Sequence, residues 1–217
     1  MPIIKSGSKI TYFSHIPKCA GSAIEDYILK SGKAKIAFLD RNFLVHRPDT
    51  VWTKSSPQHV DSQSLMRLFP SSDFFDHFLA VVRNPYDRLK SAFKYQKYAD
   101  RKMSQDIDFK KFVLSLNKPV VNTIGINDNH FLPQYRFFYP KSPYMVFKLE
   151  DGLGDVKKWI DLHVLGEAMP YDIEVVNDFK SRGIKVEADL QWDDEMRAAV
   201  SEIYKLDFEL FGYDTGL

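Results

Sequence analysis

Three times along this chain a short apolar run is followed at once by a tight turn and an amphipathic helix. Parallel strands need a crossover connection, usually a helix. A run of such units therefore predicts an α/β protein whose central parallel sheet is covered by helices on both faces. In the first unit, an apolar run over 10–16 is stopped by Pro17 and turns through Ala20 and Gly21. Ile24, Tyr27 and Ile28 then recur at helical spacing, and Lys30 and Gly32 close the helix. In the second, a strand over 78–82 leads through Arg83 to Asn84 as N-cap and Pro85 as first helical residue, with Tyr86, Leu89 and Phe93 as the apolar stripe. In the third, a strand over 144–149 precedes Gly152 and Gly154, and a helix capped by Asp155 turns Val156, Trp159 and Ile160 inward.

Further helices are predicted after Asp61, with Leu65, Leu68 and Phe69, and after Asp108, with Phe109, Phe112 and Val113. A last long helix starts near Asp193 and buries Met196, Ala199, Val200, Ile203 and Tyr204, with Phe208, Phe211 and Tyr213 folding back as an apolar tail. Residues 163–192 carry no readable pattern. The 217 residues, 44% of them hydrophobic, suffice for one domain spanning 1–217. With 30 basic against 29 acidic residues there is no global field to hold nucleic acid, so any anion site must be local. Cys19 is the single cysteine, which excludes an internal disulfide and a cysteine-built metal site and suits a reducing compartment; no metal site is expected. Apolar runs such as 78–82 are far too short to span a bilayer, and the expectation is a soluble, cytoplasmic protein.

Ligands of open parallel sheets bind beyond the carboxyl ends of the strands, where two unusual loops lie. Pro17-Lys18-Cys19-Ala20-Gly21-Ser22 combines small residues, a helix start, a cation and a hydroxyl, the makings of a phosphate cradle. Lys18 precedes Gly21 by three residues, so the loop departs from the Walker pattern. A covalent role for Cys19 is disfavoured, because the cysteine-phosphatase loop needs arginine where Glu25 stands. The second loop carries Arg83 at the strand end and Ser91 about six residues into the helix, roughly 9 Å along its axis, where the two could share one phosphate.

Together the loops resemble the two cofactor motifs of sulfotransferases that use 3′-phosphoadenosine 5′-phosphosulfate (PAPS). His15-Ile16-Pro17-Lys18-Cys19-Ala20-Gly21-Ser22 is similar to the 5′-phosphosulfate loop. Val82-Arg83-Asn84-Pro85-Tyr86-Asp87-Arg88-Leu89-Lys90-Ser91-Ala92-Phe93 is similar to the 3′-phosphate motif. The branch most similar is the carbohydrate and membrane-enzyme-like one that includes heparan 2-O-sulfotransferases and many bacterial proteins, and this chain is expected to be a soluble, bacterial-type member. His59-Val60-Asp61, His130-Phe131-Leu132-Pro133-Gln134 and the ending 203–213 add to the likeness. The family loop usually has threonine at the positions of Cys19 and Ser22 and serine at that of Ala23; of these only Ser22 keeps a hydroxyl.

The resemblance implies a sulfotransferase fold, related to P-loop kinases, with PAPS held by Pro17, Lys18, Cys19, Ala20, Gly21, Ser22, Ala23, Arg83 and Ser91 and leaving as 3′-phosphoadenosine 5′-phosphate (PAP). Lys18 would stabilise the departing phosphate without a metal. The acceptor is expected to be a hydroxyl or amine of a saccharide or other small metabolite. Its proton needs a base, and of six histidines His59 stands where the family has its catalytic one, with His130 second. His15 and His77 read as framework residues, and His46 and His163 carry no signal. Arg47, Arg136 and Lys148 are minor candidates for contacting an anionic acceptor. The rival readings are a nucleotide-dependent kinase and a nucleotide-binding protein without turnover. Oligomeric state is not legible.

Overall fold

The computed structural model describes residues 2–39, 53–174, 186 and 190–216. Its elements in chain order are β1 (Ile3–Ser6), β2 (Lys9–Ser14), α1 (Gly21–Lys30), β3 (Lys35–Ala37), α2 (Ser62–Met66), β4 (His77–Val82), α3 (Pro85–Lys94), α4 (Phe109–Ser115), α5 (Lys118–Val121), β5 (Tyr144–Lys148), α6 (Gly154–Ile160), α7 (Asp194–Ile203) and α8 (Lys205–Phe211). They form a single α/β domain with one five-stranded sheet of order β3-β1-β2-β4-β5.

The sheet is mixed, which corrects the expectation of a parallel one. The strands of the three strand–turn–helix units, β2, β4 and β5, are parallel to one another. Outside them β1 runs antiparallel to both β2 and β3. The reason is local: Ser6 pairs with Lys9 across a two-residue turn in which Gly7 takes φ 56°, and such a turn can only join antiparallel neighbours. Neither β1 nor the three-residue β3 has the length or alternation that would have marked it in sequence.

Alternation along β4 places the core on both faces. Leu79 and Val81 pack with Ile4, Phe13, Ile24, Ile28, Val156 and Ile160 beneath α1 and α6. Phe78 lies with Tyr12, Val60 and Leu65 on the α2 side, and Val82 with Ile16, Leu132 and Phe137. A further cluster joins Leu89 and Phe93 of α3 to Phe112 of α4, Val200 of α7 and Phe208 of α8.

Helix starts are set by side-chain caps. Asp61, Asn84, Asp108 and Asp193 accept from the backbone N–H groups of Ser64, Tyr86, Lys111 and Met196. The expected cap at Asp155 is displaced: Leu153 occupies the cap position, and Asp155 sits in the first turn, paired with Lys158 at 2.8 Å. The tail forms α8, which buries Phe208, while Phe211 and Tyr213 pack partly buried against Ile16, Val82 and Leu132. No helix among the described residues is long and apolar enough to cross a membrane.

Candidate active site

The loop between β2 and α1 is shaped by its backbone. Lys18 and Ala20 adopt left-handed φ values of 70° and 63°, which turn the chain sharply at the strand end. Ala20 occupies the N-cap position of α1 without a side-chain cap, and the first turn holds no acidic residue. A ten-residue helix therefore presents its amino end, with its partial positive charge, to whatever occupies the loop. Gly21 has to be glycine, since a Cβ there would fall inside the His15 imidazole. Lys18, Ala20 and Ser22 are partly exposed, whereas Pro17, Cys19, Gly21 and Ala23 are buried and face a ligand with main-chain atoms at most.

Cys19 is spent on the scaffold. Its thiol contacts the Gln134 amide oxygen at 3.5 Å, and burial pushes it up to about 12, so it is not a nucleophile at neutral pH. Gln134 in turn accepts from the Arg83 N–H at 2.9 Å and donates to the Arg83 carbonyl at 2.8 Å, clamping the end of β4. The Arg83 guanidinium reaches the Lys18 carbonyl at 3.4 Å, so the two loops that resemble the cofactor motifs meet. Among the described residues Arg83 makes no ion pair with Asp87. Ser91 lies half-buried on α3, one helical turn ahead of Tyr95. Arg88 of the same helix, wholly buried, donates to the carbonyls of Pro17 at 3.2 Å, His130 at 3.1 Å and Leu132 at 2.7 Å.

His59 ends a tight turn, Pro57–His59, just before the Asp61 cap. Its Nδ1 lies 2.7 Å from Asp128 Oδ2, and the same carboxylate accepts from the Ser56 N–H at 2.6 Å and the Ser56 hydroxyl at 2.8 Å. Burial alone would raise the Asp128 carboxyl, but the His59 charge and these hydrogen bonds hold it well below the usual carboxylate range. An ionised Asp128 can only accept, so His59 carries a hydrogen on Nδ1, and Nε2 is the ring nitrogen that the carboxylate leaves unengaged. Asp128 is the orienting carboxylate that sequence reasoning missed. It stands in an Asn127-Asp128-Asn129 turn with φ values of 46°, 54° and 60°, a left-handed run that asparagine and aspartate tolerate better than other side chains. Asn129 locks the turn by accepting from the Gly125 N–H at 2.7 Å and donating to the His59 carbonyl at 2.8 Å.

Four rings and a cation form a continuous column. Lys18 Nζ lies 4.2 Å above the Tyr95 ring, and Tyr95 stacks on His130 with centroids 5.0 Å apart. His130 meets His59 edge-on at 5.1 Å, and His59 meets His15 at 4.9 Å. Loop cation and candidate base thus belong to one site. His130 Nδ1 donates to the Asn127 carbonyl at 2.8 Å, and burial, with the His59 charge second, holds its ring well below the ordinary imidazole range, so it is neutral. His15, expected as a framework residue, is placed against the candidate base and bonded to Glu25.

The ligand-type atoms of His59, Asp128 and His130 lie within 4.8 Å of one another, a grouping the sequence reading did not foresee. Both Asp128 oxygens are already engaged by Ser56 and His59, so the trio reads as a hydrogen-bonded dyad beside a neutral imidazole. His77 and His163 sit together with Trp159, as framework rings. Arg136 is held by Asn122 and Gln63, and Lys148 by the Gly212 carbonyl and the Tyr213 ring. His46 and Arg47 lie outside the described residues.

The strand–loop–helix turn after β2 and the His59–Asp128 pair thus lie together in an α/β domain, joined through Tyr95 and His130. The model of the family described as the sulfotransferase family matches residues 3–214, and the chain belongs to that family. A sulfotransferase from Alicyclobacillus acidocaldarius, known from its crystal structure, is distantly similar, with 13% identity and a TM-score of 0.39 over 70% of this chain and 60% of that one. No curated protein matches the chain.

Proposed function

We propose that residues 1–217 act as a PAPS-dependent sulfotransferase domain that modifies a hydroxyl or amine of a saccharide or other small-molecule acceptor. The observation that carries this reading is the column linking Lys18 of the anion loop to the His59–Asp128 dyad. The loop fits the anionic cofactor: α1 begins without a side-chain cap, its first turn holds no acidic residue, and Lys18 and Ser22 are partly exposed. Bound there, PAPS would supply an activated sulfuryl group. Lys18 and the first N–H groups of α1 would hold the 5′-phosphate, and Arg83 and Ser91 would hold the 3′-phosphate. His59 Nε2 takes the acceptor proton, while Asp128 holds the ring in that tautomer and stabilises the imidazolium.

A saccharide acceptor of the heparan 2-O type is favoured by the likeness of His59-Val60-Asp61 and His130-Phe131-Leu132-Pro133-Gln134 to that branch. A cytoplasmic setting belongs to the same proposal and suits the free thiol of Cys19. The test compares PAP with ADP at matched concentration. PAP is expected to raise Tm far more, because Arg83 and Ser91 would meet a phosphate that ADP lacks. Labelled PAPS should then transfer its sulfur to members of a saccharide, lipid and phenol panel. Equal thermal shifts, or magnesium-dependent turnover of ATP, would overturn the reading in favour of a kinase; strong PAP binding without transfer would leave a nucleotide-binding protein.

A further inference from the structure

Two buried titratable side chains beside the base have no part in the proposed chemistry. His15 leaves the end of β2, and Glu25 projects from α1; their side chains are 4% and 0% exposed. His15 Nδ1 contacts Glu25 Oε1 in a short hydrogen bond. The Cδ2–Nε2 edge of the same ring fills the place where Gly21 would carry a Cβ, and the ring stands edge-on to His59 at 4.9 Å. One imidazole therefore touches the anion loop and the base at once.

A buried carboxylate is costly to keep ionised, and replacing a buried charged pair with apolar side chains is often neutral or stabilising. Stability alone is thus a weak reason for this pair. Burial holds the His15 ring below the ordinary imidazole range. For Glu25 burial acts upward, but His15 outweighs it and keeps the carboxyl below its usual range. The couple is a neutral His15 donating Nδ1–H to a charged Glu25. His15 links that charge to the base geometrically, since its ring bonds Glu25 through Nδ1 and stands edge-on to His59. The other groups facing His59 are Asp128 and His130 from the 125–130 turn, with Lys18 of the anion loop beyond them.

We propose that Glu25 and His15 are positioning residues for the base: Glu25 fixes the tautomer and orientation of His15, and its charge, carried alongside His59, stabilises the imidazolium formed in the transfer step. The proposal rests on His59 being the base. The acceptor O–H bond breaks, its proton ends on His59 Nε2, and both carboxylates stay ionised, so nothing further is consumed.

Glu25→Gln keeps an acceptor for His15 Nδ1–H and removes only the charge. The His59 ring is followed by NMR titration, alongside kcat against pH at saturating PAPS and acceptor. In Glu25→Gln, both the His59 midpoint and the acid limb of kcat should move down together, by on the order of one pH unit. The high-pH plateau should fall roughly tenfold, with PAP affinity within about twofold of native. An unmoved His59 midpoint, whatever happens to Tm, overturns the proposal. A second readout needs no variant: in the native chain the ¹⁵N shifts of His15 should report the Nδ1–H tautomer throughout the range where His59 titrates, and an Nε2–H or doubly protonated His15 overturns it. Failure of the sulfotransferase reading looks different, because a native chain that transfers nothing can still show the Glu25-dependent shift of His59.

Discussion

Replacing Asp128 by asparagine separates the dyad's electrostatics from its shape. The substituted amide has nearly the same volume and keeps one carbonyl oxygen, so the Ser56 N–H can retain an acceptor where it now donates to the carboxylate at 2.6 Å. The 2.7 Å bond from His59 is what is lost, because the amide side faces Nδ1–H with a donor of its own. The ring relieves this by moving its hydrogen to Nε2, the atom that must take the acceptor proton. A hydrogen bond to a charged, buried group contributes about 1.5–3 kcal/mol. For a chain of this length that corresponds to a Tm lower by roughly 3–12 °C. The catalytic loss is larger, on the order of 100- to 10,000-fold in kcat at saturating PAPS and acceptor, since general-base assistance fails outright. PAP affinity should stay within a few-fold of native, because the anion loop is untouched. Asp128 is held below the ordinary carboxylate range, so its stabilisation is complete above the unfolded value, about pH 4, and drains away on further acidification. The Tm gap between native and Asp128→Asn should accordingly close as the pH is taken below about 4. A kcat within about threefold of native despite the lowered Tm would reduce Asp128 to a loop anchor and refute the reasoning.

Gly21→Ala should destabilise the fold by about 1–3 kcal/mol and weaken PAP binding, since the new Cβ meets a His15 ring that Glu25 holds in place; unchanged thermal unfolding and PAP titration would contradict the packing described. Cys19 should resist thiol reagents in the native chain and react only on unfolding, and rapid native-state labelling would show that the loop opens. Burial pushes the Asp207 carboxyl up to about 6, so between about pH 4 and pH 6 the unfolded chain ionises before the folded one and native stability falls by roughly 3 kcal/mol. Asp207→Asn should lack that decline; parallel denaturant titrations at the two pH values decide it. Lys18→Ala should cost about 100-fold or more in kcat, and unchanged turnover at saturating PAPS would cancel its role.

Local signals carried a large share of this protein. The strand–turn–helix units, the caps at Asp61, Asn84, Asp108 and Asp193, and the Pro17–Ser22 and Arg83–Ser91 segments depend on residues within a few positions of one another, and periodicity and cap chemistry act over that range. His59, just before a capped helix, could be singled out by its likeness to the position of the family's catalytic histidine. Pairing partners could not. The β1–β2 hairpin and three-residue β3 are too short to leave a pattern: the two-residue turn at Gly7 sets the direction of β1, and β3 finds its place only by pairing with β1 at the edge of the sheet. Asp128 reaches His59 across 69 residues, Gln134 reaches Arg83 across 51, and Lys18 meets Tyr95 only because β2 and β4 are neighbours whose following loops converge at one end of the sheet. Even Glu25 and His15, ten residues apart, became a couple only once α1 folded back over the end of β2. Hydrogen bonds and charges act over a few ångströms of space, and which side chains come within that distance is decided by the packing of the whole chain.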